Sequence, residues 1–172
     1  MLKNMTVDDL QVSGIMMNPS NGDIFALIGG VKYVKSEYNR ATQSKRQVGS
    51  AMKPFLYYAA LENGMTSSST FLSQYTTFNL ENGKTYSPKN YNNIYPNYDI
   101  TMAAAIAYSD NIYAVKTNLF LGIDQMINYA KLSGINEPLK EVASLALGTS
   151  EINLLDFATG YTTLASGGYK KK

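Results

Sequence analysis

Pro54 stands inside an apolar period: Met52, Phe55, Leu56, Ala59 and Ala60 recur at helical spacing between Ser50 and Glu62, and Asn63-Gly64 supplies a stop. A proline has no N–H to give to a helix interior and is tolerated only in the first turn. The helix therefore begins at Ser50, which fixes a serine hydroxyl at a helix N-terminus. Around this anchor the remaining elements follow from local pattern. Val12 to Met17 and Ile24 to Ile28 flank the turn formers Asn18-Pro19-Ser20-Asn21-Gly22-Asp23, so residues 11–30 read as a hairpin, the one sheet expected. Residues 31–49 are polar and aperiodic and read as a loop. So do residues 66–98, dense in Ser, Thr, Tyr and Asn and broken by Pro88 and Pro96. Thr101 is placed to cap a helix through Tyr108, and Ser109-Asp110-Asn111 interrupts it before Ile112 to Leu121 resumes the period. Further helices are expected at Asp124–Leu132 and Ile152–Ala165. The expected class is α+β, mainly helical with an N-terminal hairpin.

The chain of 172 residues is 45% hydrophobic, enough for one domain with a core, yet only 16% charged. Its formal charge of +2 owes three positives to Lys170, Lys171 and Lys172, so the basic pI describes a tail. With Arg40 and Arg46 as the sole arginines and no internal basic run, no nucleic-acid partner is expected. The sequence holds no cysteine and no histidine. That excludes disulfides, thiolate metal sites, cysteine nucleophiles and Ser-His-Asp chemistry, and neither a metal nor a cofactor is expected. Any nucleophilic hydroxyl here needs a lysine or a carboxylate beside it. The apolar stretch from Ile100 to Tyr108 is too short to span a bilayer, and Met1 to Gln11 lacks the apolar run of a signal peptide. Residues 1–10 read as a leader or linker to a domain over 11–172.

One lysine answers that need. In Ser50-Ala51-Met52-Lys53 the serine and lysine share a helix face, so the Lys53 amine can approach the Ser50 hydroxyl, and the helix N-terminus favours the alkoxide. A lysine kept neutral by burial is a competent base. The spacing alone is weak, since a capping serine followed by a surface lysine gives the same letters. Ser109-Asp110-Asn111 is the second signal, because Ser-x-x-Lys, Ser-Asp-Asn and Lys-Thr-Gly together mark class A β-lactamases and penicillin-binding proteins.

The wider text sharpens the match. Gly22-Asp23-Ile24-Phe25-Ala26-Leu27-Ile28-Gly29-Gly30, Tyr38-Asn39-Arg40-Ala41, Arg46-Gln47-Val48-Gly49-Ser50-Ala51-Met52-Lys53-Pro54-Phe55, Pro88-Lys89-Asn90-Tyr91 and Ser144-Leu145-Ala146-Leu147-Gly148 resemble the transpeptidase domain of the bifunctional, class A penicillin-binding proteins. The resemblance implies a penicillin-binding, serine β-lactamase-like fold. By position it implies that Ser50 is the nucleophile that acylates on a peptidoglycan stem peptide ending in D-Ala-D-Ala, and the group that β-lactams trap. Lys53 matches the base, Ser109 the hydroxyl that relays the proton to the leaving amine, and Asn111 a donor to the substrate's peptide amide. Asp110 matches only a loop position. Val48 departs from the family's usual proline, and Ala165-Ser166-Gly167 from a common Ala-Asn-x-Gly.

The larger departure is that no Lys-Thr-Gly follows Ser109. In the family that strand clamps the substrate carboxylate and supplies one of two oxyanion-hole N–H groups. The expectation is thus an N-terminal part of the domain, lacking the C-terminal strands, whose parent works on the extracytoplasmic face of the bacterial cell membrane. Its partners would be the stem peptide, β-lactams, the missing C-terminal half, or a second copy through the exposed hairpin edge. Two other readings stay open: a small independent acyl-hydrolase or drug sensor, and a non-enzymatic cell-envelope module binding through Tyr75 to Tyr98.

Overall fold

The computed structural model describes residues 10–32, 37–80 and 83–169; the expected leader, Leu10 apart, and the lysine tail lie outside them. In chain order the elements are β1 (Gly14–Met17), β2 (Ile24–Ile28), β3 (Lys45–Gln47), α1 (Lys53–Glu62), β4 (Thr70–Ser73), β5 (Phe78–Asn79), β6 (Thr85–Tyr86) and β7 (Tyr98–Thr101). Then come α2 (Met102–Tyr108), α3 (Asn111–Leu121), α4 (Ile123–Ser133), β8 (Glu151–Asn153) and α5 (Leu154–Ala165). The class is α+β, as expected, and the hairpin forms with Gly14 opposite Ile28 and Ile15 opposite Leu27.

Two compact units can be described separately. The first comprises Met1–Gln47, Ala130–Pro138 and Glu151–Lys172. Here α5 packs on β1, and β3 pairs antiparallel with β8, Lys45 opposite Asn153. The Lys45 amine donates to Glu137 at 2.7 Å, and the Asn153 amide donates to the same carboxylate at 2.7 Å. These strands correct two readings. Residues 31–49 are not all loop, and the last helix starts at Leu154 because 151–153 are engaged in a pairing whose partner lies far along the chain.

The second unit comprises Val48–Tyr129 and Leu139–Ser150. Its core is α1 against α3, with Met52, Phe55, Leu56, Ile112, Tyr113, Val115 and Leu145 all buried. The stretch 66–98 is likewise not plain loop. Within it β4 pairs with β7, Phe71 opposite Ile100, and β5 with β6. Four two-stranded sheets stand among the described residues where one was expected.

Helix ends follow local chemistry. Thr101 Oγ1 accepts from the Ala104 N–H at 3.2 Å, as its place before the apolar run implied. The expected stop at Asn63-Gly64 also forms, with Gly64 at φ 87° and the Met65 N–H donating to the Ala60 carbonyl at 3.0 Å. The start of α1 differs by one turn. Residues Gly49–Met52 form a 3₁₀ turn, α1 proper opens at Lys53, and Pro54 occupies its first turn. The tighter turn arises at a close backbone approach. The Gly49 N–H donates to the Gly148 carbonyl at 3.2 Å, and a Cβ on Gly148 would lie 2.1 Å from the Gly49 oxygen. The two glycines let the Ala143–Leu147 3₁₀ segment and the Ser50 turn touch.

Candidate active site

Ser50 sits exposed on its 3₁₀ turn, while Lys53, one turn on, is 4% exposed. The segment that faces them is the joint between α2 and α3. Ser109 terminates α2 in the left-handed conformation, φ 53° and ψ 44°, and Asp110 returns to extended backbone and caps α3. A non-glycine residue in the left-handed region costs about 1 kcal/mol, so the surroundings must hold it there.

They do so through Lys53 on one side and a polar cluster on the other. The Lys53 amine donates to the Ser109 carbonyl at 2.6 Å, Ser109 Oγ at 3.0 Å, Asn111 Oδ1 at 2.7 Å and the Asp110 carbonyl at 3.3 Å. Asn111 is oriented by its other end, Nδ2 donating to the Lys89 carbonyl at 2.7 Å. Behind the turn, buried Asp110 accepts from the Tyr113 N–H at 2.7 Å, from Ser73 Oγ at 2.5 Å and from Asn90 Nδ2 at 2.7 Å.

Burial pulls the Lys53 ammonium down to about 8, with the Asp110 charge acting in the opposite sense. The nearby phenols go the other way: burial lifts Tyr113 to about 12 and Tyr57 further still, so both stay neutral around the lysine. An open pocket of about 290 Å³ is lined by Ser50, Lys53, Pro54, Tyr57, Ile106 and Ser109.

The four residues singled out from sequence are thus distributed unequally. Lys53, Ser109 and Asn111 are joined by hydrogen bonds. Ser50 lines one pocket with Lys53 and Ser109, but among the described residues no hydrogen bond links its hydroxyl to Lys53. Asp110, read from sequence as a loop position, is corrected: it is the buried cap of α3 and the centre of a polar network. An aspartate ahead of an apolar helical run is a capping signal, and that signal was present. Ser73 had none, and Asn90 stood only within the family-like Pro88-Lys89-Asn90-Tyr91, with no local sign of its reach to residues 110–112, because their partners lie in distant sequence. No group of three or more Asp or Glu side chains among the described residues could hold a metal ion.

With this geometry in place, comparison with known proteins is specific. The family model for the penicillin-binding protein transpeptidase domain matches residues 12–172. The chain belongs to the penicillin-binding protein transpeptidase family. Among curated relatives of this family, penicillin-binding protein 2D of Bacillus subtilis is 45% identical over 163 residues, covering 94% of this chain and 24% of its own length. Penicillin-binding protein 1A of Pseudomonas aeruginosa is 34% identical over 98% of the chain and 21% of its own. The chain therefore spans about a quarter of the curated relatives it matches. Of solved structures, penicillin-binding protein 1A from Haemophilus influenzae superposes with a TM-score of 0.87 at 33% identity over 93% of this chain and 24% of that one. The PonA1 protein of Mycobacterium tuberculosis, solved in complex with penicillin V, shares the fold at a TM-score of 0.79 and 22% identity, over 95% of this chain and 46% of that one. The transpeptidase-domain fold expected from the motifs is thus the fold observed.

Proposed function

We propose that this chain carries the acylating side of a peptidoglycan D,D-transpeptidase site. The observation that carries the reading is the Lys53 amine, buried yet within 3.0 Å of the Ser109 hydroxyl, in the pocket that Ser50 lines. Neutral Lys53 takes the Ser50 proton as Oγ attacks the carbonyl between the two D-alanines of a stem peptide. Ser109 Oγ, hydrogen-bonded to the same amine, passes a proton to the departing amine, and the terminal D-alanine leaves. The ester on Ser50 is then opened by the amine of a second stem peptide, which forms the cross-link and returns the hydroxyl. Asn111 still has one Nδ2–H after its bond to Lys89, and that proton is available to a substrate peptide carbonyl. A β-lactam carbonyl meets the same hydroxyl, and its ring opens onto Ser50.

In the parent protein the site faces outward from the cell membrane. The same reading gives the exposed β2 face of the hairpin a cover, either following strands of the domain that bear Lys-Thr-Gly or a second copy of the chain. A missing oxyanion-hole donor costs about 10²- to 10³-fold in rate, so the 172-residue chain acylates slowly. The test mixes it with a polypeptide covering those strands and follows fluorescent-penicillin labelling. Labelling that accelerates on mixing and vanishes in Ser50→Ala supports the reading. Fast labelling of the chain alone, or none on mixing, speaks against it.

A further inference from the structure

Asn90 hydrogen-bonds Asp110, Asn111 and Ile112, which directly follow Ser109, from about twenty positions upstream. Its carboxamide oxygen accepts from the Asn111 N–H at 2.8 Å and the Ile112 N–H at 3.3 Å. Its nitrogen donates to Asp110 Oδ2 at 2.7 Å and, at 3.5 Å, to Ser73 Oγ. The side chain is only 9% exposed. A helix N-terminus presents N–H groups and needs an acceptor, whereas the Asp110 carboxylate needs donors; an amide supplies both from one side chain. The adjoining Lys89 carbonyl takes the Asn111 amino group, which turns Asn111 Oδ1 toward the lysine.

We propose that Asn90 is a positioning residue of the acyl-transfer site, acting through residues 109–111 to hold Ser109 Oγ and Asn111 Oδ1 against the Lys53 amine. Its functional meaning rests on the reading above, but its geometry can be tested without turnover. Asp110 is the charge that acts on Lys53; Tyr57 on α1, which feels the same carboxylate, and Tyr113 on α3, raised by burial, remain neutral phenols.

The experiment titrates Lys53 by nitrogen NMR in the 172-residue chain, alongside hydrogen exchange at the Asn111 and Ile112 amides. Asn90→Ala is expected to move the Lys53 midpoint by at least about half a pH unit, a threefold change in its neutral-to-charged ratio. Asn90→Asp combined with Asp110→Asn exchanges amide and carboxylate and keeps one negative charge. Lys53 in that double variant is expected to titrate within about half a unit of the wild type. Asn90→Ala that loses protection at Asn111 and Ile112 while Lys53 titrates unchanged makes Asn90 a helix cap and overturns the inference. So does an exchanged variant that folds with Lys53 displaced. If Asn90→Ala does not fold, the exchanged variant decides. Penicillin labelling is read separately, and its absence in every variant counts against acyl transfer, not against the Lys53 result.

Discussion

At the scale of single residues, rising pH acts on Lys53 twice and in the same sense. As a base it must be neutral, so Ser50 acylation should climb with pH through about 8 and then level, and Lys53→Arg, always charged, should lose about 10²-fold or more of the rate. Stopped-flow penicillin labelling against pH checks this; a flat profile would separate the lysine from the chemistry. For stability the sign follows from proton counting. The unfolded lysine holds its proton to the ordinary value of 10.5, while the folded one releases it near 8, so between those values the unfolded state binds more protons. The wild type should therefore gain stability relative to Lys53→Met across that window, as read by urea unfolding. Asp110 sets a second test. Asp110→Ala strips a helix cap and leaves the Tyr113 N–H, Ser73 Oγ and Asn90 Nδ2 short of an acceptor. A loss of at least about 3 kcal/mol is expected, because the cap bond to Tyr113 is worth about 1 and the two other buried donors about 1 to 3 each.

At the scale of elements, the Ser50 turn depends on two glycines for different reasons. Gly148→Ala drives a Cβ to 2.1 Å from Gly49 O and 2.5 Å from Gly49 N, at a φ of 69°, so backbone must move. Gly49 is also left-handed, φ 61°, but nothing lies within 4 Å of its Cβ position. Gly49→Ala should cost only about 1 kcal/mol, and Gly148→Ala several times as much, a contrast that thermal unfolding of the two variants resolves. The elements legible from sequence were those with local causes: the hairpin with its turn cluster, the Thr101 cap, the Asn63-Gly64 stop. The Ser-x-x-Lys and Ser-Asp-Asn motifs were legible too, because each is contiguous. What stayed hidden was nonlocal. Lys45–Gln47 becomes a strand only because Glu151–Asn153 lies beside it, and Thr70–Ser73 only because Tyr98–Thr101 does. Asn90 and Ser73 converge on Asp110 for the same reason, across separations that no local period reports.

At the scale of the whole molecule, the hairpin carries an exposed apolar surface. All five residues of β2 are exposed, Phe25 at 64% and Ile28 at 56%, and among the described residues β1 and β2 pair with no third strand. Such an edge with an apolar face pairs with another chain. Sedimentation should show concentration-dependent dimers of the 172-residue chain, and Phe25→Lys should shift them toward monomer; a monomer at every concentration would leave the hairpin without that role. The chemistry turns on the Ser50 hydroxyl, and one measurement reaches it directly: long incubation with a penicillin followed by mass spectrometry of the peptides. A single adduct with the mass of one intact penicillin, on the peptide containing Ser50 and lost in Ser50→Ala, is the predicted result. No adduct there, or one that persists in Ser50→Ala, would contradict the assignment of Ser50 as the acylated hydroxyl.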